Sequence, residues 1–133
     1  RQQNIKIDIE LPPIPPLSFD RTRLLQVFLN ILNNAYDSLL SIQIEEKFIK
    51  IKGEILGKEV LLIFEDNGIG FSSDKSPNLL EVNKSKKEDH MGYGLYHCRK
   101  IIDSHGGHIS IKSPGLEKGA TVEIRLPIGK KEK

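Results

Sequence analysis

Asp66-Asn67-Gly68-Ile69-Gly70 closes a strongly apolar run, Val60 to Phe64, and sets one carboxylate among glycines where a strand ends. Glycine has no Cβ and accepts positive φ, so a strand that breaks into glycines lets a ligand come close to the backbone. A carboxylate drawn out of open water at such a place needs donors. The exocyclic amine of adenine supplies one, where guanine would present a repelling carbonyl oxygen. The pentapeptide therefore reads as the floor of a nucleotide pocket, although Asp-Asn-Gly by itself also makes an ordinary turn. Asn30, Asn33 and Asn34 are a second group of interest. Asn30 and Asn34 stand one helical turn apart and reach the same spot. Each asparagine costs a helix about a few tenths of a kcal/mol, and a merely solvated face would favour Lys and Glu, so a function is expected of them. A third group is Gly92-Tyr93-Gly94-Leu95. Glycines at a helix start expose N–H groups at the positive end of the dipole, a seat for phosphate, and serve close packing equally well.

The commoner phosphate-binding and metal-binding patterns are absent. No Gly-x-x-x-x-Gly-Lys-Ser/Thr occurs, and the dinucleotide fingerprint fails because Ser73 and His97 stand where a third glycine would. His90, His97, His105 and His108 lack paired ligand spacing, and there is one thiol, Cys98. No Gly-x-Ser-x-Gly elbow is present.

The elements that must position these groups follow from periodicity. Ile5, Ile7 and Ile9 alternate with charged residues, the pattern of a strand with one buried face. Leu11 to Pro16 is too proline-rich for a ladder or a helix and reads as a stiff connection, with a polyproline ligand as the alternative. Asp20 is a good N-cap for a helix from Arg21 to about Ile42. Its apolar arc comprises Leu24, Leu25, Val27, Phe28, Leu29, Ile31, Leu32, Ala35, Tyr36 and Leu39, expected to be buried, with the amides on the remaining arc. Lys47–Ile55 and Lys58–Asp66 make a hairpin turning near Gly57-Lys58, the second strand apolar enough to be central. Ser72 to His90 is a long polar, lysine-rich loop with one short helical turn near Pro77–Val82, the length of a lid or binding loop. The second helix buries Leu95, Cys98, Ile101, Ile102 and His105 and stops at Gly106-Gly107; two alternating strands follow. The order predicts an α/β, or α+β, two-layer sandwich: a mixed, mostly antiparallel sheet with helices on one face.

Composition narrows the class. The 133 residues suit one domain, 1–128, with 129–133 as a disordered tail. A net charge of +2 and few aromatics argue against a nucleic-acid partner. One cysteine fits a reducing, cytoplasmic compartment, and no apolar run reaches membrane-spanning length. The chain opens in strand-like sequence without an initiator methionine, as expected of a piece of a longer protein.

Taken together, these motifs resemble the ATP-binding catalytic domain of sensor histidine kinases, within the gyrase, Hsp90, histidine kinase and MutL ATPase superfamily. Asn30-Ile31-Leu32-Asn33-Asn34-Ala35 is similar to the N box, Asp66-x-Gly68-x-Gly70 to the G1 box, Gly92-Tyr93-Gly94-Leu95 to the G2 box, and Gly119-Ala120-Thr121 to the last glycine motif. The resemblance implies a Bergerat-type fold binding ATP and Mg²⁺. Asp66 would accept from the adenine amine, and Gly68 and Gly70 would let the base and lid pack close. Asn34, with Asn30, would hold Mg²⁺; Gly92, Tyr93, Gly94 and Leu95 would meet the phosphates; Thr121 would line the pocket. Lys84, Lys86 or Lys87 would add charge from the lid, Lys86 being the chosen candidate. Hydrolytic relatives carry a glutamate at the Asn30 position, so an amide there implies transfer to another nucleophile rather than to water. That nucleophile would be a histidine on a separate dimerisation domain of the same protein, which then serves a cognate bacterial response regulator in a two-component phosphorelay. The isolated chain would be a monomer of weak activity and the parent a homodimer. An anti-sigma-type kinase or an ATP-sensing module of the same superfamily is the alternative. The lid departs from the family's Phe-Thr-Thr-Lys, keeping only the tail of it in Asn83-Lys84-Ser85-Lys86.

Overall fold

A computed structural model describes residues 4–71 and 91–129. Five strands and two helices follow in the order β1 (Ile5–Glu10), α1 (Arg21–Leu40), β2 (Lys47–Leu56), β3 (Glu59–Asp66), α2 (Met91–Ser104), β4 (His108–Lys112) and β5 (Ala120–Pro127). They form one sheet in the order β1-β2-β3-β5-β4. β1 runs parallel to β2, and the other neighbours are antiparallel. The apolar β3 is central, as its sequence requires.

Strand alternation sorts the sheet into a packed and an open face. Ile49, Val60, Leu62, Phe64, Asp66, Ala120, Val122, Ile124, Leu126, Ile109 and Ile111 are buried under the helices. Lys50, Lys52, Glu65, Glu123, Arg125 and Lys112 alternate with them in the same strands, and pairs such as Lys112–Glu123 and Arg125–Glu59 lie on that other side. The result is two layers, with Val27 and Ile31 of α1 and Leu95, Cys98 and Ile102 of α2 completing the core.

The proline-rich stretch is a connection. Ile14, Leu17 and Phe19 pack against the core, and Leu17 bridges Ile128 at the chain's far end. Asp20 caps α1 by accepting from Thr22 and Arg23 N–H at 3.0 and 3.3 Å. The helix ends at Leu40 with Ser41 as C-cap, two residues short of the expected Ile42. At the other end of the pair, His105 stacks on Phe19 with ring centroids 3.7 Å apart, and its Nε2 accepts from Asp20 N–H. Cys98, two turns earlier along α2, meets the Val27 carbonyl of α1. The two helices are therefore antiparallel, and the first turn of α2 lies alongside the second half of α1.

Two expectations fail in the same place. Ile7 and Ile9 point to the helix side, in register with Ile49 and Ile51, yet are 57% and 58% exposed. β1 is an edge strand whose Ile5 packs against the cluster of Ala35, Leu39 and Ile49 while Ile7 and Ile9 stay uncovered, so alternation fixed the face but not the cover. On α1, Leu25, Leu29 and Tyr36 of the predicted buried arc are exposed as well. The helix can bury only what meets the sheet and α2, and that face is Val27, Ile31, Ala35, Ser38 and Leu39.

Candidate functional site

Asp66 is the last residue of β3, on the helix side of the sheet, and is 7% exposed. Its Oδ1 accepts from Gly68 N–H at 2.8 Å and from the Ser38 hydroxyl at 3.4 Å. Burial raises its pKa from 3.8 to about 6, against the lowering pull of the Gly68, Ser38 and Ala120 donors. At neutral pH the group is ionised but under-solvated, which is the state that gains most from a ligand's N–H donor.

The loop after Asp66 is clamped on both sides. Ile69 N–H donates to Ser38 Oγ at 2.9 Å and to the Ser38 carbonyl at 3.2 Å. Asn67 ties the loop to β2, accepting from Phe48 N–H and donating to the Glu46 carbonyl, both at 2.8 Å. On the opposite side Gly119 N–H donates to the Gly68 carbonyl at 3.0 Å, and Ser113 Oγ accepts from Phe71 N–H at 3.2 Å while donating to the Gly119 carbonyl at 2.6 Å. The glycines serve this clamp. A Cβ on Gly68 would overlap Ser38, and one on Gly70, whose φ is +61, would lie 2.5 Å from the Gly119 carbonyl oxygen. The close approach they permit in this structure is of protein to protein, where ligand and lid contact was expected.

Asn30, Asn34 and Ser38 recur every four residues, so they form one stripe along α1 that ends at Asp66. Eight residues of helix rise about 12 Å, the reach from a purine to its phosphates. Asn30 hydrogen-bonds the Cys98 thiol, whose pKa burial pushes up to about 11. Asn34 is half-buried, and its Nδ2 is the buried side-chain atom left without a partner among the described residues. A polar atom so placed is expensive unless its complement lies outside the protein. The antiparallel packing brings the start of α2, the positive end of its dipole, beside this stretch.

Two of the expected site residues have their side chains elsewhere than beside the carboxylate. Thr121 pairs with Glu65, whereas Asp66 pairs with Ala120. A period of two sends the Thr121 side chain to the open face, and Ala120, buried at 3%, stands beside the carboxylate instead. Leu95 is fully buried in the core. In a helix beginning at Met91, Leu95 lies past the first turn and anchors it in the core. Gly92 and Gly94 sit in the first turn, and of Tyr93 only the backbone is described. Lys84, Lys86, Lys87, the short turn near 77–82 and the lid as a whole lie outside the described residues. Ser38, Asn67 and Ser113 were missed. Asn67 stood in the motif itself, and Ser38 could have been found by extending the Asn30–Asn34 spacing one more turn.

The sequence profile of the family described as "Histidine kinase-, DNA gyrase B-, and HSP90-like ATPase" matches residues 19–130. Sensor protein TdiS of Thauera aromatica is 29% identical over 130 residues, which are 96% of this chain and 24% of that protein. Sporulation kinase E of Bacillus subtilis is 35% identical over 126 residues, 94% of this chain and 16% of the kinase. The chain thus spans a quarter or less of these curated relatives. Among solved structures, a nucleotide-free form of the catalytic domain of histidine kinase ThkA aligns with a TM-score of 0.76 at 26% identity, covering 96% of this chain and 82% of that one. Full-length ShkA, solved in complex with AMPPNP, aligns with a TM-score of 0.77 at 22% identity over 97% of this chain and 27% of its own, a likeness of fold.

Proposed function

From the premise that the chain belongs to the histidine kinase-, DNA gyrase B- and HSP90-like ATPase family, we propose that it is the ATP-binding catalytic domain of a sensor histidine kinase. The observation that carries the reading is the stripe Asn30–Asn34–Ser38 ending on a buried carboxylate. It offers an adenine acceptor at one end and amides at the other. Asp66 accepts from the 6-amino group, and its ionised form is held by the Gly68 and Ser38 donors. The start of α2, with Gly92 and Gly94, faces the phosphates, and Lys86 is the lid's candidate contact. Residues 1–128 act as one catalytic unit.

Mg²⁺ fits the amide end. A hard cation takes neutral oxygens, keeps waters and phosphates in its octahedron, and needs few protein ligands. Asn34, whose amide carries an acceptor oxygen beside the unpartnered buried nitrogen, would offer that oxygen, and Asn30 lies one turn away. When bound, the ion would neutralise charge on the β- and γ-phosphates. Neither amide accepts a proton from water, so the chain's own residues position the nucleotide without activating hydrolysis. The γ-phosphoryl group then passes to a histidine nitrogen on the dimerisation domain of the parent protein: the P–N bond forms as the P–O bond to ADP breaks. A response regulator takes the group onward.

The test is to mix the chain and γ-labelled Mg-ATP with a purified dimerisation domain of such a kinase. Acid-labile, base-stable label on that domain is the expected result. Steady hydrolysis by the chain alone, or label on serine, overturns the reading.

A further inference from the structure

We infer that Ser38 is a positioning residue for adenine recognition, its hydroxyl fixing which oxygen of Asp66 is offered to the 6-amino group. The inference rests on the reading of Asp66 given above. Ser38 is buried to 3% exposure on the face of α1 that looks onto the end of β3. Its Oγ accepts from Ile69 N–H at 2.9 Å, which occupies the oxygen's lone-pair side and leaves its proton to be directed elsewhere. The acceptor in reach is Asp66 Oδ1 at 3.4 Å. That span is long for a hydroxyl donor, as polar contacts in a ligand-free site often are before the site tightens. Gly68 N–H reaches the same oxygen at 2.8 Å.

Both of these donors converge on Oδ1. A carboxylate rotating about its Cβ–Cγ bond would lose them together, so they act as a lock on that rotation and leave Oδ2 as the oxygen they do not engage. The lock comes from two different elements, one from the turn that Asp66 itself begins and one from α1. Because Ser38 lies on the stripe with Asn34 and Asn30, it also sets the adenine end of the pocket in register with the amide end. Ala120, the neighbour of Asp66 on β5, has no side-chain donor, so Ser38 is the side-chain hydroxyl bonded to this carboxylate among the described residues.

A plain structural role is the competing account, since the same hydroxyl also fastens Ile69 to α1. The two part company in a two-by-two measurement of binding: wild type and Ser38→Ala, each with ADP and with purine riboside diphosphate, which lacks the 6-amino group. Wild type should prefer ADP. Ser38→Ala should lose about tenfold in affinity for ADP, the scale of one hydrogen bond to a charged group, and little for the analogue. The pH below which ADP binding fades should also move upward in Ser38→Ala, because a donor that favours the ionised carboxylate has gone. Equal losses for both nucleotides, with an unmoved pH profile, would overturn the positioning role and leave only a structural one. If wild type itself fails to distinguish the two nucleotides, adenine recognition by Asp66 is wrong and this inference goes with it. Ser38→Cys, which keeps a weak donor, should fall between the two; it stands in for Ser38→Ala if melting shows the alanine variant unfolded.

Discussion

The two sides of α1 break the rule of polar outside and apolar inside in opposite directions. On the inward side the half-buried Asn30 and Asn34 and the fully buried Ser38 are interleaved with Val27, Ile31, Ala35 and Leu39. On the outward side Leu25, Leu29, Tyr36 and Leu40 stand 45 to 55% exposed, beside an edge strand whose Ile7 and Ile9 are barer still. Burying polar groups is expensive and exposing apolar ones forgoes stabilisation, so neither side is what stability alone would choose. On the proposed function a ligand would account for the inward cost, because each inward polar group lies on the line leading to Asp66. α1 would then be at once a wall of the core and a wall of the pocket.

Removing apolar volume from the inward side should give the largest effect. Leu39 is fully buried between Ala35 and Ile49, and Leu39→Ala should destabilise by about 2–5 kcal/mol in urea denaturation. A loss below about 1 kcal/mol would erase the distinction between the two sides. Next comes the ligand. Mg-ATP at a hundredfold excess over Kd should stabilise the chain by about 2.7 kcal/mol, and Asp66→Ala should abolish that gain in thermal melts. GTP should give little stabilisation to either protein.

Asp66 also gives a prediction whose sign is opposite to habit. Its folded pKa, about 6, lies above the reference 3.8, so between these values the folded state holds more protons than the unfolded one. The ligand-free chain should lose up to roughly 3 kcal/mol from this group as pH rises from 4 to 7, at about 1.36 kcal/mol per unit. Asp66→Asn, titrated by denaturation at several pH values, should flatten that part of the curve and be the more stable protein at pH 7 without nucleotide. A variant less stable than wild type there would mean that the carboxylate is not a strained functional group. Added nucleotide should reverse the order, since only wild type gains from the adenine amine.

Much of this was legible before any coordinates. Helix and strand periods located the seven elements of the described residues, and the caps at Asp20 and Gly106 fell where the residue types put them. Asp66, Asn30 and Asn34 could be picked out because each breaks a local pattern. What was not legible depended on neighbours distant in sequence. Thr121 and Ala120 are equally good candidates by motif, and only the pairing of β5 with β3 decides which one shares a face with Asp66. Ile7 and Ile9 alternate perfectly, but whether a helix covers them depends on the length and placement of α1. The clamp by Ser113 joins residues more than forty positions apart, and a serine between Lys112 and Pro114 gives no signal of its own.

The smallest expected effect tests the outward side. Leu29→Ser should change the stability of the chain by no more than about 0.5 kcal/mol, because the side chain is already 51% exposed and leaves little cavity behind. Ile31, two residues on and on the inward side, makes the contrast sharp: Ile31→Ala, at 2% exposure, belongs with Leu39→Ala. Equilibrium unfolding of both variants at one pH, with equal m-values, would isolate burial as the cause. A cost for Leu29→Ser approaching that of Ile31→Ala would mean that the stripe is covered in solution. The inversion on that side of α1 would then vanish, and only the inward one would remain.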